Sequence, residues 1–221
     1  SVCNTRRIAM TYVCLIGNGD AEQNVFETVF DSNATLIAAD GGEKKKKKWG
    51  YIPHHIIGDL DSLEELDYWR LHTNVVHDAN QDTTDLEKCL DVVDSPLYIA
   101  FGFGGDRFDH TVEMLHILHK YATKRIIFFV GNDIIFRLPL SVSWQLPLGT
   151  RISLYPLEES SGISSSGLTY PLNGITLKQG LRIGTSNSVC NPFVTITQQE
   201  STLACIVPKE YFKIIRNSIT Q

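Results

Sequence analysis

Two carboxylates one residue apart close an apolar run in His55-Ile-Ile-Gly-Asp-Leu-Asp-Ser-Leu63. In extended chain, side chains at i and i+2 share a side, so Asp59 and Asp61 face one point just past a strand. Like charges held that close repel unless a cation lies between them. Mg2+ prefers such oxygen ligands and usually carries substrate phosphates in the rest of its shell. The competing reading is a turn followed by a helix cap, with Ser62 capping a helix that starts at Leu63 and Glu65 completing the box. For Ser62 the cap is preferred; for Asp59 and Asp61 taken alone the two readings balance.

Three further stretches tip that balance. Asp82, Asp85 and Lys88 are spaced by three in Asn80-Gln-Asp-Thr-Thr-Asp-Leu-Glu-Lys88, so they share one face of a helix's first turns. Carboxylates favour a helix N-terminus in any case, yet capping needs only one acidic group, and this stretch offers Asp82, Thr83, Thr84 and Asp85. Asp40 ends the run Leu36-Ile-Ala-Ala-Asp40 just before Gly41-Gly42. In Ala100-Phe-Gly-Phe-Gly-Gly-Asp-Arg-Phe-Asp-His110 a strand runs through a glycine-rich turn into a helix. Such turns expose N–H groups that can cradle phosphates, although the spacing fits neither a P-loop nor a dinucleotide fingerprint. Arg107 can grip a phosphate with its planar fork, Asp109 and His110 can orient it or the nucleotide, and Phe108 reads as packing. Together these groups suggest nucleotide–Mg2+ chemistry with neutralisation of a transferring phosphoryl group.

These residues need elements to position them. Up to about residue 131, apolar runs (8–19, 35–40, 55–59, 74–78, 97–105 and 125–132) alternate with helical patterns near 22–31, 43–49, 63–71, 83–93 and 109–121. Nearly continuous apolar strands joined by helices predict an α/β fold, a parallel sheet with helices on both faces. The acidic and glycine-rich stretches then fall at the carboxyl ends of its strands, the edge where open α/β sheets bind ligands. Beyond residue 132 helical periodicity fades and short alternating stretches are punctuated by Gly, Pro, Asn and Ser, which predicts an antiparallel β-sandwich. The expected division is 1–135 for the catalytic part and 136–221 for the β-sandwich, with 158–167 as a polar loop. The run Lys44–Lys48 reads as a solvated helix face, with a basic patch near an anionic ligand or a neighbouring subunit as the sharper alternative.

Composition narrows the class. The chain has 221 residues, 43% apolar and 20% charged, ordinary for a folded protein. Its formal charge of −5 argues against general nucleic-acid binding. No run is long enough for a membrane span, and the opening Ser-Val-Cys-Asn-Thr-Arg-Arg lacks a signal-peptide hydrophobic region. Five cysteines without a Cys-x-x-Cys pair read as reduced thiols in a cytoplasmic protein. His116 and His119, three apart, lack a matching ligand nearby in sequence and read as surface or packing histidines.

The motifs, in this order, resemble the thiamine pyrophosphokinase family: Ala39-Asp-Gly-Gly42, Ile57-Gly-Asp-Leu-Asp-Ser62, Asp82-x-Thr-Asp-Leu-x-Lys88, Gly104-Gly-x-Arg-Phe-Asp-His110 and Thr185-Ser-Asn187. The resemblance implies an α/β nucleotide part followed by a thiamine-binding β-sandwich, and a homodimer with active sites between subunits. It implies transfer of pyrophosphate from ATP to the hydroxyl of thiamine, giving thiamine diphosphate and AMP. Under it, Asp59, Asp61 and Asp85 would hold Mg2+ with Asp40 close by. Gln81, Asp82, Thr84, Lys88, Arg107, Asp109 and His110 would line ATP, and Thr185, Ser186 and Asn187 would meet thiamine. Catalysis would fall to Asp59, Asp61, Asp85, Lys88 and Arg107.

The chain departs from the family pattern in three places, one of them the run Lys44–Lys48, which replaces a more mixed helix after Ala-Asp-Gly-Gly. Gly174-Ile-Thr-Leu-Lys178 lacks the family's tryptophan, and Ser188-Val-Cys-Asn191 lacks the aromatic that often follows Thr-Ser-Asn. Trp144 and Tyr170 are candidate substitutes for stacking on a thiazolium cation. Three rivals remain: the same transfer to another hydroxymethyl heterocycle such as a pterin, an Asp-x-Asp phosphatase, and a silent nucleotide- or thiamine-binding protein. Leu63 stands where the phosphatase motif wants Thr or Val.

Overall fold

A computed structural model describes residues 10–60 and 65–221. The expected Ser62 cap therefore lies outside the described residues, as does Asp61. The first half alternates strand and helix: β1 (Tyr12–Ile16), α1 (Gln23–Val29), β2 (Ala34–Ala39), α2 (Gly42–Trp49), β3 (His55–Gly58), α3 (Leu66–His72), β4 (Asn74–His77), α4 (Asp85–Val92), β5 (Tyr98–Phe101), α5 (Phe108–Lys120) and β6 (Ile126–Val130). Strands follow in the second half: β7 (Asp133–Arg137), β8 (Ser141–Gln145), β9 (Arg151–Pro156), β10 (Ser164–Ser166), β11 (Gly184–Ser188), β12 (Phe193–Thr197) and β13 (Leu203–Pro208), before α6 (Phe212–Ile219).

β1, β2, β5 and β6 are almost wholly buried, as their unbroken apolar runs require of strands covered on both faces. All the neighbouring pairs from β6 to β4 are parallel, in the order β6-β5-β1-β2-β3-β4. One face packs against Phe26, Val29 and Trp69, the other against Leu86, Leu90, Met114 and Ile117. Because β2 and β5 flank β1 on opposite sides, the chain leaves β1 one way and β5 the other. Their carboxyl-end loops diverge there, which makes the crevice a switch point.

At Gly131-Asn132 the chain reverses, and β7 pairs antiparallel with β6. β13, β9 and β11 extend the same sheet to ten strands. A separate three-stranded sheet, β10-β12-β8, lies against that antiparallel end. Val142, Trp144, Val194 and Ile196 share its core with Leu138, Ile152, Leu154 and Leu203. This is the expected α/β part followed by a β-sandwich.

Two local expectations fail. The segment 158–167 was expected as a polar loop, yet Ser164–Ser166 form β10 by pairing with Thr195–Thr197. Helical structure also does not end with α5, since α6 buries Phe212, Ile215 and Ile219 on one stripe. An eight-residue helix is marginal alone, and tertiary packing holds it: Trp144 Nε1 donates to Ser218 Oγ at 2.8 Å. Among the described residues no helix is long and apolar enough to cross a membrane, and Cys89, Cys190 and Cys205 are free thiols.

Candidate active site

The site is assembled from loops at the carboxyl ends of β1, β2, β3 and β5. The β1 and β5 loops interlock through backbone bonds, Gly17 N–H to Phe101 O at 2.8 Å and Gly19 N–H to Gly102 O at 2.6 Å. A Cβ at Gly17 would fall 2.5 Å from Gly102 O, so any side chain there would part the loops. Between them and α4 and α5 opens a cavity of about 420 Å3, whose lining includes Asn18, Asp40, Asp85, Asp109, His110 and Glu113.

The acidic residues converge across Gly58. That glycine has φ +152°, and a Cβ on it would fall 2.7 Å from Asp40 Cβ and 3.5 Å from Asp85 Oδ1. Burial pushes the Asp85 carboxyl above the usual aspartate range; Lys88 opposes this, and the charges of Asp40, Asp59 and Glu113 add to it. Lys88 is itself buried, 3.9 Å from Asp85 Oδ1, and donates to the Asp78 carbonyl at 2.8 Å. Asp85 thus stands between the Lys88 ammonium and several carboxylates in a partly desolvated pocket. Such an all-oxygen, acid-rich donor set suits a hard divalent cation. Among the described residues no three acidic, His or Cys groups form a ready-made metal cage.

Thr84 caps α4: its hydroxyl accepts from Glu87 N at 3.3 Å, and Thr84 N donates to Glu87 Oε2 at 3.1 Å. The cap fixes where α4 begins and hence where Asp85, its first residue, points. Gln81 and Asp82 lie on the exposed loop before it, outside the cavity lining, with Asp82 N bonded to Asn80 Oδ1 at 2.9 Å. Arg107 sits exposed at the rim and forks onto Asp109, with Nε to Oδ1 at 3.1 Å. That pairing holds the Asp109 carboxyl below its usual range.

Thr185, Ser186 and Asn187 are elsewhere. They lie on β11, the last strand at the opposite end of the sheet, seven strand positions from β2. At about 4.8 Å per strand, this places them on the order of 30 Å from the acidic edge of the same chain. Ser186 adopts φ +60° at an irregularity in the β9–β11 register, a strained position for a residue with a side chain. Asn187 is buried and clasps the backbone of exposed Tyr170, accepting from its N–H at 3.1 Å and donating to its carbonyl at 2.8 Å. Trp144, the other candidate for stacking, is enclosed in the sandwich core.

Sequence reasoning missed Asn18 and Glu113 as lining residues. Glu113 follows Asp109 by four and His110 by three, a spacing that puts it on the same helix face. Asn18 ends the first apolar run within Gly17-Asn18-Gly19, and the switch point that brings it to the cavity depends on strand order.

The fold and this site define a class: a nucleotide-dependent transferase of α/β type joined to a β-sandwich. The model of the thiamin pyrophosphokinase catalytic domain matches residues 26–130, and that of the thiamin pyrophosphokinase vitamin B1 binding domain matches 139–203. A thiamine pyrophosphokinase 1 from Oryza sativa subsp. japonica is 30% identical over 79% of this chain and 73% of its own length. A thiamine pyrophosphokinase 2 from Arabidopsis thaliana is 32% identical over 72% of this chain and 67% of its own. The crystal structure of a thiamin pyrophosphokinase from Geobacillus thermodenitrificans shares the fold at 23% identity, with a TM-score of 0.75 over 90% of this chain and 97% of that one. The chain belongs to the thiamin pyrophosphokinase family.

Proposed function

We propose that this protein transfers the terminal pyrophosphoryl group of ATP to the hydroxyl of thiamine, forming thiamine diphosphate and AMP. The observation that carries the reading is the convergence of Asp40 and Asp85 across Gly58, inside a cavity that also holds His110 and Asp109. The thiamine oxygen attacks the β-phosphorus, the bond from that phosphorus to the α,β-bridging oxygen breaks, and AMP departs with that oxygen. The hydroxyl proton passes to a carboxylate, Asp85 or Asp61. Lys88, held by the Asp78 carbonyl, offsets charge on the moving phosphoryl oxygens. Arg107 exchanges its fork from Asp109 to a phosphate. Backbone N–H groups of the glycine-rich turn and of the α5 N-terminus serve the same anion. Gln81, Asp82 and Thr84 lie on the nucleotide side. Asp40, Asp59, Asp61 and Asp85 would hold Mg2+, which when bound neutralises phosphate charge.

The division of labour is nucleotide chemistry in 1–135 and thiamine binding in 136–221. Thr185, Ser186 and Asn187 lie too far from the acidic edge to serve it within one chain, and this supports a homodimer in which β11 of one copy reaches the acidic edge of the other. The free thiols of Cys89, Cys190 and Cys205 support work in the cytoplasm. Transfer to a pterin-like hydroxymethyl group is less favoured, because the match extends through the vitamin B1 binding domain.

The test is an incubation of purified protein with ATP, Mg2+ and thiamine, with products separated by chromatography. AMP and thiamine diphosphate should form in equal amounts. AMP formed only with another hydroxymethyl heterocycle would redirect the acceptor, and no turnover with any acceptor would overturn the reading.

A further inference from the structure

Glu113 belongs to none of the motifs discussed above, yet it lines the cavity beside Asp40, Asp85 and His110. Its Oε1 is wholly enclosed and has no hydrogen-bond partner among the described residues. No Lys or Arg is among the described residues that line this cavity, and Lys88, behind Asp85, donates to the Asp78 carbonyl at 2.8 Å. An enclosed acceptor without a donor is destabilising, and structures retain such a group where a ligand supplies what is missing. Phosphate is the wrong ligand, because an ionised carboxylate only accepts and two anions repel. The neighbouring Asp85 carboxyl already registers the Glu113 charge as unfavourable. With the cation assigned to Asp40, Asp59, Asp61 and Asp85 under the proposed function, Oε1 is left to an N–H or O–H donor.

Both substrates of the proposed reaction carry such donors, and this inference rests on that reading. The anionic end of ATP belongs at the glycine-rich turn and the first turn of α5, which spans Phe108–Lys120. Glu113 lies one helical turn further along, beyond the phosphates. We infer that Glu113 is a specificity-determining residue whose Oε1 accepts a hydrogen bond from an uncharged donor of a bound substrate, either a ribose hydroxyl of the nucleotide or the exocyclic amine of the thiamine pyrimidine. The position suits such a role because exchanging Glu113 leaves in place the Asp40 and Asp85 side chains that meet across Gly58.

The experiment is equilibrium binding by calorimetry, in the presence of Mg2+, to wild type, Glu113→Gln and Glu113→Ala. The probes are ATP, 2′-deoxy-ATP, 3′-deoxy-ATP, thiamine and the thiamine analogue whose pyrimidine amine is replaced by a carbonyl. Thermal melts check that each variant folds. Wild type should prefer one parent ligand over its donor-lacking analogue by about tenfold or more, the range of hydrogen bonds to a charged group. Glu113→Ala should erase that preference, and Glu113→Gln should restore part of it. Loss confined to the deoxynucleotides assigns the ribose, and loss confined to the thiamine pair assigns the amine. Binding without discrimination in wild type, or discrimination that survives in Glu113→Ala, would overturn the inference while leaving the proposed reaction standing. Failure of wild type to bind either ATP or thiamine would overturn the reaction and the inference together.

Discussion

Asp85 is pulled two ways by its surroundings. Burial and the charges of Asp40, Asp59 and Glu113 favour its protonated form, while Lys88 favours the carboxylate. A carboxyl raised in the folded state costs stability as pH climbs from the unfolded aspartate value, about 3.9, through the folded one. Metal-free Asp85→Asn should therefore melt at or above wild type at pH 8, and the advantage should shrink as pH falls toward 4. The same variant should lose about a hundredfold or more in kcat, the cost of removing a group that handles developing charge. Stability kept with turnover lost would mark Asp85 as functional; turnover near wild type would remove it from the machinery. Gly58→Ala makes a second test, since the new methyl would meet Asp40 Cβ and strain a backbone at φ +152°. It should lower ATP turnover sharply while the β-sandwich keeps its folded signature by hydrogen exchange. Asp40 and Asp85 were legible as candidates from their places after a strand and at a helix start, whereas the period-two pair of Asp59 and Asp61 meets a left-handed Leu60 at φ +65°, and Asp61 lies outside the described residues. Glu113 was not legible, since a single acid at helical spacing is indistinguishable from a solvated face until a cavity is known to lie against it.

At the scale of elements, α4 shows how structural and functional readings coexist. Thr84 forms a capping box with Glu87, so the cap comes from a hydroxyl rather than from Asp82 or Asp85, and it fixes Asp85 in its place. Thr84→Ala should cost about 1 kcal/mol of stability, read from denaturant midpoints. Glu87 ties α4 to α5 through a bond from Lys120 Nζ. Burial would raise the Glu87 carboxyl, but the Lys120 bond and the Thr84 amide outweigh it and hold it below the ordinary glutamate range. Its contribution to stability is present above the unfolded value, about 4.3, and is lost as pH falls through the lower folded value. Lys120→Met should flatten that acid limb of the melting profile, and an unchanged limb would show the pair to be inert. The buried strands were readable from their apolar runs. α6 was not, because its short stripe of Phe212, Ile215 and Ile219 follows β13 after only the 3-10 turn Lys209–Tyr211 and depends on packing rather than on propensity. β10 was hidden for a related reason: Ser164, Ser165 and Ser166 carry no apolar alternation, and pairing with β12 alone makes them a strand.

At the scale of the molecule, one ten-stranded sheet carries the acidic residues near one end and Thr185, Ser186 and Asn187 at the other. Strand order, which no single-chain periodicity reveals, separates motifs that the resemblance places in one active site. If two copies complete each site, Asp85→Asn and Asn187→Ala should complement. Each should be inactive alone. After unfolding and refolding together in equal amounts, the mixture should recover about a quarter of wild-type turnover, since half the dimers are mixed and one site in each is intact. No recovery, with mixed dimers present by native mass spectrometry, would contradict a shared site. Intact transfer of pyrophosphate to thiamine is the central step, and ATP labelled with 32P at the γ-position reports it. The label should appear in thiamine diphosphate, one per AMP formed, with none in thiamine monophosphate. Label released as free phosphate with ADP, or thiamine left unlabelled while ATP is consumed, would contradict it.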